Sequence, residues 1–470
     1  MAIVAFGSDT EFEVHVPLVI IGAGACGLVA ALAAKQFGAE VVILERDALP
    51  RGSTAMSQGF IPAAGTRFQD EKGVEDSPER MAEDIQRKNG GQADPAIVRA
   101  LAESSGSVVE WLADAHGIPF DLVGGFLYPG HNSMRMHATP RRTGEELMGS
   151  LLNAVETAGI DLLTEARVVD LHVDDTGRVQ GVTLMRPDGS REPIGCDALI
   201  LACNGYGGNP ALVERYLPAL KDALYFGHEG NQGDALLWGE AMGASLKDMG
   251  ACQGHGSLAM PHQTLITWAV MMRGGVQVNN EGRRFSNEHG GYSEQAAKVL
   301  SQPGGIAWNL FDHCIHRAAL EFEDYRNAHA VGAVRTFDSL EEMANGLGLP
   351  FDALCETFAE MHSLAESNDA DIFGRYFTKT NLLTAPYHAI RVTGALFHTQ
   401  GGLEVTPQAR VLRQDGSVFA NLFAAGGAAR GVSGSGDSGY LSGNGLLSAV
   451  VLGAIAGREA ALLLGCAPAA

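Results

Sequence analysis

Two short, uninterrupted apolar runs lie close together near the start of the chain. They are Leu18–Ile21 and Val41–Leu44, and four consecutive apolar residues are typical of strands that a parallel sheet buries on both faces. The residues between them are rich first in glycine and then in alanine, which favours a tight turn followed by a helix. The pattern predicts a β-α-β unit over residues 17–45.

The turn of this unit carries a glycine pattern with a known physical use. Gly22, Gly24 and Gly27 are spaced as G-x-G-x-x-G, and the second strand ends in Glu45. Glycines in this position let the backbone approach a pyrophosphate at the helix N-terminus, and an acid after the next strand accepts hydrogen bonds from the adenosine ribose. The combination predicts a dinucleotide site.

Apolar patterning further along the chain indicates two domains. It predicts helical structure over residues 79–116, a hairpin of strands at 168–173 and 179–185, and a buried strand at 198–202. From about residue 250 to 397 short strands mix with helices, and the earlier pattern then returns. The apolar stretch 446–465 is interrupted by two charged residues and suits a core helix better than a membrane span.

Composition narrows the choice of function. The 33 Lys and Arg against 55 Asp and Glu give a formal net charge of -22, which repels phosphate backbones and anionic lipid surfaces. Nucleic acid and membrane partners are therefore not expected. The seven cysteines form no C-x-x-C pair, and no basic and apolar leader is visible, so we expect a cytoplasmic protein without a metal site.

Four segments together resemble the fumarate reductase and succinate dehydrogenase flavoprotein superfamily: the glycine fingerprint, residues 52–59, residues 282–288 and residues 401–427. The resemblance covers nearly the whole chain. It implies an α/β fold in which a Rossmann-type FAD-binding domain (1–249 and 398–470) is interrupted by an inserted α+β capping, or substrate, domain (250–397). Complex-II members carry a histidine near the position of Ser53, so a serine there implies non-covalent FAD.

The expected cofactor-binding residues combine the fingerprint with this resemblance. They are Gly22, Gly24, Ala25, Gly27, Glu45, Arg46, Ser53, Thr54, Ser57, Gly59, Val168, Asn204, Gly205, Gly426, Gly427, Asn444, Gly445 and Leu446.

The chain departs from the reductases where they bind dicarboxylates. Their proton-delivering arginine falls on Tyr292 and their C-terminal clamp arginine on Tyr440. Trp268 and Met271 replace a glutamate and an arginine of the proton relay. The match is kept on the substrate side at His255, Thr267 and His398. Guanidinium groups match carboxylates bidentately, so their loss disfavours dicarboxylate reduction.

The two tyrosines resemble instead the 3-ketosteroid dehydrogenase branch. That resemblance implies that Tyr292 removes a proton alpha to a ketone and that Tyr440, with a backbone N–H near Gly443 or Asn444, holds the ketone oxygen. A hydride from the beta carbon then passes to flavin N5. Tyr128 matches a third active-site tyrosine, and Trp268 is expected to narrow the substrate pocket.

We therefore expect a ketone desaturase acting on a 3-ketosteroid or a smaller cyclic ketone. Free tyrosine has a pKa of about 10, so the base needs a partner, and His289, His398 and Tyr128 are the candidates. The electron acceptor is expected to be external: a quinone, a dye-like carrier or O2. Three alternatives stay open: a reductase of an unsaturated acid, an electron-transfer flavoprotein subunit, and a monooxygenase suggested by the Gly436-Asp437 pair.

Overall fold

The chain divides into two compact units. The computed structural model describes residues 2–6, 12–125 and 127–467. Unit 1 comprises Met1–Tyr216, Gly227–Cys252 and His398–Ala470, and unit 2 comprises Leu217–Phe226 and Gln253–Phe397.

These boundaries differ from the expected ones in two places. Residues 217–226 lie in unit 2 and not in the FAD-binding domain, because strand Leu224–Tyr225 pairs in parallel with strand Tyr387–Thr399. Residues 250–252, expected in the capping domain, lie in unit 1. Both differences are short, and every candidate site residue lies in the unit to which the sequence analysis assigned it.

A six-stranded sheet forms the core of unit 1. In spatial order its strands are Arg410–Leu412, Val418–Ala424, Ala198–Leu201, Leu18–Ile21, Val41–Leu44 and Asp161–Leu163. Neighbours are parallel except for the first pair. Three central strands are buried along their whole length, as expected where both faces of a parallel sheet are covered. The predicted β-α-β unit is confirmed, with helix Ala25–Gln36 between its strands.

Smaller sheets flank this core. One contains the predicted hairpin, whose strands Arg167–Val173 and Val179–Met185 pair antiparallel. This sheet has five strands, and the other three are Ala2–Ala5, Val14–His15 and Arg191–Gly195. A two-stranded sheet contains Leu246–Lys247 and Gly402–Leu403. A three-stranded sheet contains Ile61–Pro62, Met136–Ala138 and Asp121–Leu122.

The helices of unit 1 lie around these sheets. The described α-helices are Ala25–Gln36, Gly52–Ala55, Arg67–Asp70, Pro78–Lys88, Pro95–His116, Gly144–Thr157, Pro210–Tyr216, Asp234–Ala241, Asn444–Leu447 and Gly453–Leu463. The helical periodicity expected over 79–116 belongs to two helices, Pro78–Lys88 and Pro95–His116. Gly90 and Gly91 take positive φ angles of 67° and 76°, and Asp94 caps a new helix by accepting a hydrogen bond from the Ala96 N–H, so the chain breaks there.

The C-terminal apolar stretch is a core element of unit 1. Among the described helices, Asn444–Leu463 alone is long and apolar enough to cross a membrane, and 67% of its most apolar window is buried inside the protein. It packs on helix Ala25–Gln36 so closely that a Cβ at Gly457 would lie 2.0 Å from the Ala30 carbonyl oxygen. The burial agrees with the predicted core helix.

Unit 2 is the α+β unit that the sequence predicts. Its sheet runs Thr264–Leu265, Cys252–Ala259, Tyr387–Thr399, Ile306–Asp312 and Val276–Val278, and Leu224–Tyr225 and Arg335–Phe337 also pair with Tyr387–Thr399. Its described α-helices are Ala269–Met272, Tyr292–Leu300, His313–Ala319, Glu323–Ala330, Leu340–Leu347 and Phe351–Ser367.

Candidate active site

The glycine turn of unit 1 is a cradle that side chains would fill. A Cβ at Gly22, whose φ is +106°, would lie 2.6 Å from the Ala202 carbonyl oxygen, and a Cβ at Gly27 would lie 1.8 Å from the Gly22 carbonyl oxygen. Gly24 has only the Thr54 hydroxyl within 4 Å of such a position, at 3.8 Å. The two outer glycines therefore close the turn, and the middle one leaves backbone open to a bound group.

Glu45 is set to receive hydroxyl groups beside this turn. Its carboxylate is buried and accepts hydrogen bonds from the Ala23 N–H at 2.8 Å and the Asp47 N–H at 3.0 Å. A carboxylate has about four acceptor positions, so capacity remains for ribose hydroxyls. The neighbouring Arg46 donates to the Gly230 carbonyl at 2.9 Å. Val168 lies in strand Arg167–Val173, which begins directly after Ala166, and the Ala166 N–H donates to the Glu45 backbone carbonyl.

The loop that follows Glu45 is tied to the glycine turn by hydroxyl groups. The Thr54 hydroxyl accepts from the Ala25 N–H at 3.2 Å, and the Ser57 hydroxyl donates to the Thr54 carbonyl and accepts from the Gly59 N–H. The Ser53 hydroxyl accepts from the Asn231 side chain at 2.9 Å. These bonds fix the loop in one conformation at the edge of the cradle.

Two further turns complete the cradle in unit 1. Asn204, with φ of +63°, follows a buried strand, and its side-chain oxygen accepts from the Gly205 N–H at 2.8 Å. A Cβ at Gly427 would lie 2.1 Å from that oxygen. Gly426 also has a positive φ, +59°. The Asn204 side chain thus occupies the space that a Cβ at Gly427 would need, and the positive φ of Gly426 favours glycine.

Asp234 is a candidate that the sequence analysis missed. It opens helix Asp234–Ala241, is buried, and its Oδ1 atom has no hydrogen-bond partner among the described residues. Burial raises its pKa despite the nearby guanidinium of Arg46. A buried acceptor left without a donor is costly, and a bound hydroxyl or amine would satisfy it. The Gly233-Asp234 pair after a turn was the available signal.

The substrate-side residues of unit 1 gather around His398. Its ring meets the Tyr440 ring edge to face at 5.6 Å. A Cβ at Gly445 would lie 2.6 Å from its Nε2 atom, so only glycine lets the imidazole lie there. A chain of hydrogen bonds runs from the Asn444 side-chain amide through the Ser433 hydroxyl and the Gln400 side chain to His398 Nδ1. The structure thus brings together Tyr440, His398, Asn444 and Gly445.

The turn after Tyr440 offers one of the two expected backbone donors. The Asn444 N–H is used internally, because it donates to the Leu441 carbonyl at 3.0 Å. Of the two positions expected to supply the backbone donor, Asn444 therefore does not offer its N–H. Gly443, with φ of +89°, is the N-cap of the following short helix Asn444–Leu447. Gly443 is the remaining candidate donor.

In unit 2 four predicted residues lie in one aromatic cluster or next to it. The buried His255 ring stacks on Tyr292 at 5.2 Å and meets Trp268 edge to face at 5.6 Å. Phe397 covers another face of His255 at 5.5 Å. Thr267 is buried, and its hydroxyl accepts from the Ala269 N–H at 3.4 Å, two residues before the short helix Ala269–Met272.

The structure does not give every candidate a place in these groups. His289, suggested as a partner of the tyrosine base, has its Nε2 atom 3.0 Å from the Met271 carbonyl. Tyr128 packs edge to face on Phe60 at 6.0 Å and lines a small cavity with His131 and Arg135.

Comparison with known proteins decides which cofactor the cradle of unit 1 holds. A family model described as FAD binding domain matches residues 18–446. A probable fumarate reductase, Ifc3 of Shewanella frigidimarina, is 31% identical over 94% of this chain and 74% of its own length. The chain belongs to this FAD-binding family, the fumarate reductase and succinate dehydrogenase flavoproteins. It is an FAD-dependent oxidoreductase, as the sequence predicts.

Solved structures of other flavoproteins share the fold. The open conformation of a flavocytochrome c3 fumarate reductase aligns with a TM-score of 0.82, at 30% identity over 96% of this chain and 79% of that one. A 3-ketosteroid-Δ4-(5α)-dehydrogenase from Rhodococcus jostii RHA1, in complex with 4-androstene-3,17-dione, aligns with a TM-score of 0.80, at 26% identity over 98% and 100% of the two chains.

The residues present fit FAD. The open side of Gly24 suits a pyrophosphate, Glu45 keeps free acceptor positions, and Asp234 presents a buried oxygen without a partner. We assign the adenosine and pyrophosphate part of the cofactor to this region of the flavoprotein.

Substituting Gly27 tests the cradle. Gly27→Ala would place a Cβ within 1.8 Å of the Gly22 carbonyl oxygen, so the turn must open and we expect the purified protein to lack the visible flavin absorbance. Gly149→Ala is the matched control, because nothing lies within 4 Å of that Cβ and alanine is better than glycine inside a helix by up to about 1 kcal/mol. Normal FAD content in Gly27→Ala would contradict the assignment.

Stability should depend on pH through His255. Burial lowers its pKa to about 3, whereas an unfolded histidine titrates near 6.5. Below pH 6.5 the unfolded chain binds the proton and the folded flavoprotein does not, so this contribution to stability is complete above pH 6.5 and is lost as the pH falls toward 3. By pH 4 the loss is about 3 kcal/mol. Denaturant unfolding at pH 7 and pH 4 should show a smaller difference in His255→Gln.

Proposed function

We propose that this flavoprotein introduces a double bond between the alpha and beta carbons of a ketone. The observation that carries the proposal is the chemistry of two positions, Tyr292 and Tyr440, where the resemblance to the reductases calls for arginine. Tyr292 lies in a cluster of aromatic rings with His255, and Tyr440 lies against His398. A phenol and a neutral imidazole suit a ketone oxygen or an acidic C–H bond better than two carboxylates.

The charge balance of the buried arginines supports a neutral substrate. Three arginines are buried among the described residues, and all are paired: Arg135 with Asp76 and Asp84, Arg375 with Glu288, and Arg430 with Asp248. A dicarboxylate site needs guanidinium groups that are not already neutralised.

His255 adds no positive charge at neutral pH. Its Nδ1 atom accepts a hydrogen bond from the Ser257 N–H at 3.1 Å, and its pKa is lowered to about 3 by burial. The neutral imidazole therefore carries its proton on Nε2. The ring therefore offers an N–H donor at Nε2 and no charge that would attract a carboxylate.

The proposed roles are those that the resemblance to the 3-ketosteroid dehydrogenases implies. Tyr292, as phenolate, removes the proton alpha to the carbonyl, and the Tyr440 hydroxyl with the Gly443 N–H donates to the carbonyl oxygen as negative charge develops there. FAD, when bound, accepts the hydride that leaves the beta carbon. The aromatic faces of Trp268 and Phe397 exclude water and contact the carbon skeleton. The electrons then leave to an external small-molecule acceptor.

The steroid dehydrogenase among the structural neighbours supports this reading. It matches the chain over 98% of its length and was solved with 4-androstene-3,17-dione. By analogy we propose a cyclic ketone, a 3-ketosteroid or a smaller ring, as the substrate class. We also propose that FAD is held non-covalently, since Ser53 carries a hydroxyl that is occupied by hydrogen bonds, and that the protein works in the cytoplasm.

A second candidate is the reduction of an unsaturated acid. It is favoured by the sequence relatives, because the first of them is a probable fumarate reductase at 31% identity. The chain also keeps His255, Thr267 and His398 at positions that match the substrate side of the fumarate reductases. Under this alternative the carboxylate would have to be recognised by neutral donors.

Anaerobic mixing separates the two candidates. The oxidised flavoprotein is mixed with cyclohexanone-type ketones, 3-ketosteroids and succinate, and the visible flavin band is followed. In a second arm, chemically reduced protein is mixed with fumarate and other unsaturated acids. We expect bleaching by a ketone and none by succinate. Bleaching by succinate alone, or reoxidation by unsaturated acids without any ketone reaction, would establish the reductase. No reaction in either arm would favour the remaining alternative, an electron-transfer flavoprotein subunit.

A further inference from the structure

A buried ionic network in unit 1 ends at the turn that carries Tyr440. Arg135 is almost completely buried and bonds Asp76 through Nε and Nη2, both at 2.9 Å, and Asp84 through Nη1 at 2.6 Å. Although burial opposes ionisation of Asp84, the Asn132 N–H and the guanidinium groups of Arg87 and Arg135 hold the pKa of its carboxyl below the usual range. The guanidinium of Arg135 is therefore fixed in both position and charge.

His131 connects this guanidinium to the turn. Its Nδ1 atom lies 3.2 Å from Arg135 Nη1, and its Nε2 atom lies 2.9 Å from the Ser442 carbonyl oxygen. A guanidinium only donates hydrogen bonds, so Nδ1 must accept. The ring proton is then on Nε2, where it donates to the Ser442 carbonyl. Burial, with the nearby charge of Arg135, lowers the pKa of His131 to about 4, so the tautomer holds at neutral pH.

The Ser442 carbonyl sets the direction of the next N–H. Among the described residues the peptide bonds that are cis both precede proline, so Ser442 and Gly443 are joined by a trans peptide. In a planar trans peptide the C=O and the N–H point in opposite directions. Holding the Ser442 oxygen toward His131 therefore turns the Gly443 N–H away from His131. The loop around His131 also packs closely on the turn, since a Cβ at Gly130 would lie 2.6 Å from a Leu441 methyl group.

We propose that His131, fixed by Arg135, is a positioning residue that orients the Gly443 N–H toward the carbonyl oxygen of the substrate. The inference rests on the proposed ketone site. His131 touches neither substrate nor cofactor in this scheme. It acts through the Ser442 peptide, and its effect is greatest when negative charge develops on the substrate oxygen, because a preorganised donor is worth most there.

Three variants of the holoenzyme test this role. His131→Phe keeps a ring and removes both nitrogens, His131→Gln keeps an N–H donor of similar reach, and His172→Leu is the control. His172 is also buried and bonded through Nε2, to Thr183 at 2.7 Å, but lies in the five-stranded sheet. We expect His131→Phe to lower kcat for the ketone by about tenfold to a hundredfold with KM changed less than threefold, and His131→Gln and His172→Leu to stay within threefold of wild type.

Binding of substituted phenols supplies a readout that turnover does not. Para-substituted phenols of similar size are titrated against the oxidised flavoprotein and followed by the flavin spectrum. In the wild type, affinity should rise as the phenol becomes more acidic, because the oriented N–H favours negative charge on the ligand oxygen. In His131→Phe this dependence should be weaker by at least half. Should that variant lose FAD, His131→Asn replaces it, because asparagine is too short to reach the Ser442 carbonyl.

The outcomes separate the two claims. Suppose that the wild type oxidises a ketone, and that His131→Phe (or His131→Asn) keeps both the wild-type kcat and the wild-type dependence of phenol affinity on phenol acidity. His131 is then not a positioning residue, and the proposed function stands. If no ketone reduces the wild-type flavin, the proposed function fails, and the positioning role fails with it.

Discussion

Tyr292→Phe is expected to lower the rate of flavin reduction by a ketone by about a hundredfold to ten-thousandfold, the usual contribution of a general base. The substitution removes one oxygen atom and leaves the ring that packs on His255 and Trp268. FAD content and thermal stability should therefore change little. The measurement is the single-turnover rate of bleaching without oxygen, at saturating ketone.

Tyr376→Phe is the matched control for this variant. Tyr376 lies in the same unit but its side chain is 60% exposed, so loss of its hydroxyl should leave the bleaching rate within twofold of wild type. If Tyr292→Phe reduces its flavin as fast as the control, Tyr292 is not the base, and the proposed mechanism is wrong at its first step.

Glu288→Gln is expected to destabilise unit 2 by about 3–5 kcal/mol, the usual cost of removing one partner from a buried ion pair. Glu288 is fully buried. Its carboxylate accepts from Arg375 and Arg284 at 2.7 Å each and from the Gln277 N–H at 2.9 Å. Burial alone would raise its pKa, but the two guanidinium groups lower it to about 2. The neutral amide would leave two buried cations with Asp371 as their remaining carboxylate partner.

The surface pair of Arg283 and Glu356 provides the comparison. The Glu356 side chain is 63% exposed, so Glu356→Gln should change the free energy of unfolding by no more than about 1 kcal/mol. Denaturant unfolding of both variants, followed by tryptophan fluorescence, checks the difference. A Glu288→Gln protein as stable as Glu356→Gln would show that the buried cluster does not hold the segment that leads into Tyr292.

The local parts of the fold and of the cofactor site could be predicted from the sequence. The β-α-β unit and the roles of Gly22 and Gly27 follow from spacing alone, because a strand, a tight turn and a helix leave no room for a Cβ there. The hairpin at 167–185 follows from alternation and a glycine turn. The break at 89–94 also has a local signal, because Asn89-Gly90-Gly91 is typical of a turn and Asp94-Pro95 of a helix start.

Contacts between residues distant in sequence could not be predicted. His131 and Ser442 are separated by 311 positions, and no local pattern around either residue signals the bond. Asp234 became a candidate only when burial and a missing partner were known. In the same way, the Asn444 N–H looked available until the turn placed the Leu441 carbonyl opposite it.

The most direct test of the account is the fate of deuterium in the ketone. A cyclic ketone carrying deuterium at the alpha and beta carbons is converted by the flavoprotein with an artificial electron acceptor and no oxygen, and the product is analysed by mass spectrometry and NMR. We predict an α,β-unsaturated ketone that has lost one alpha and one beta deuterium, with the rate of conversion lowered at least a hundredfold in Tyr292→Phe. Recovery of unchanged ketone, together with conversion of succinate to fumarate, would contradict it.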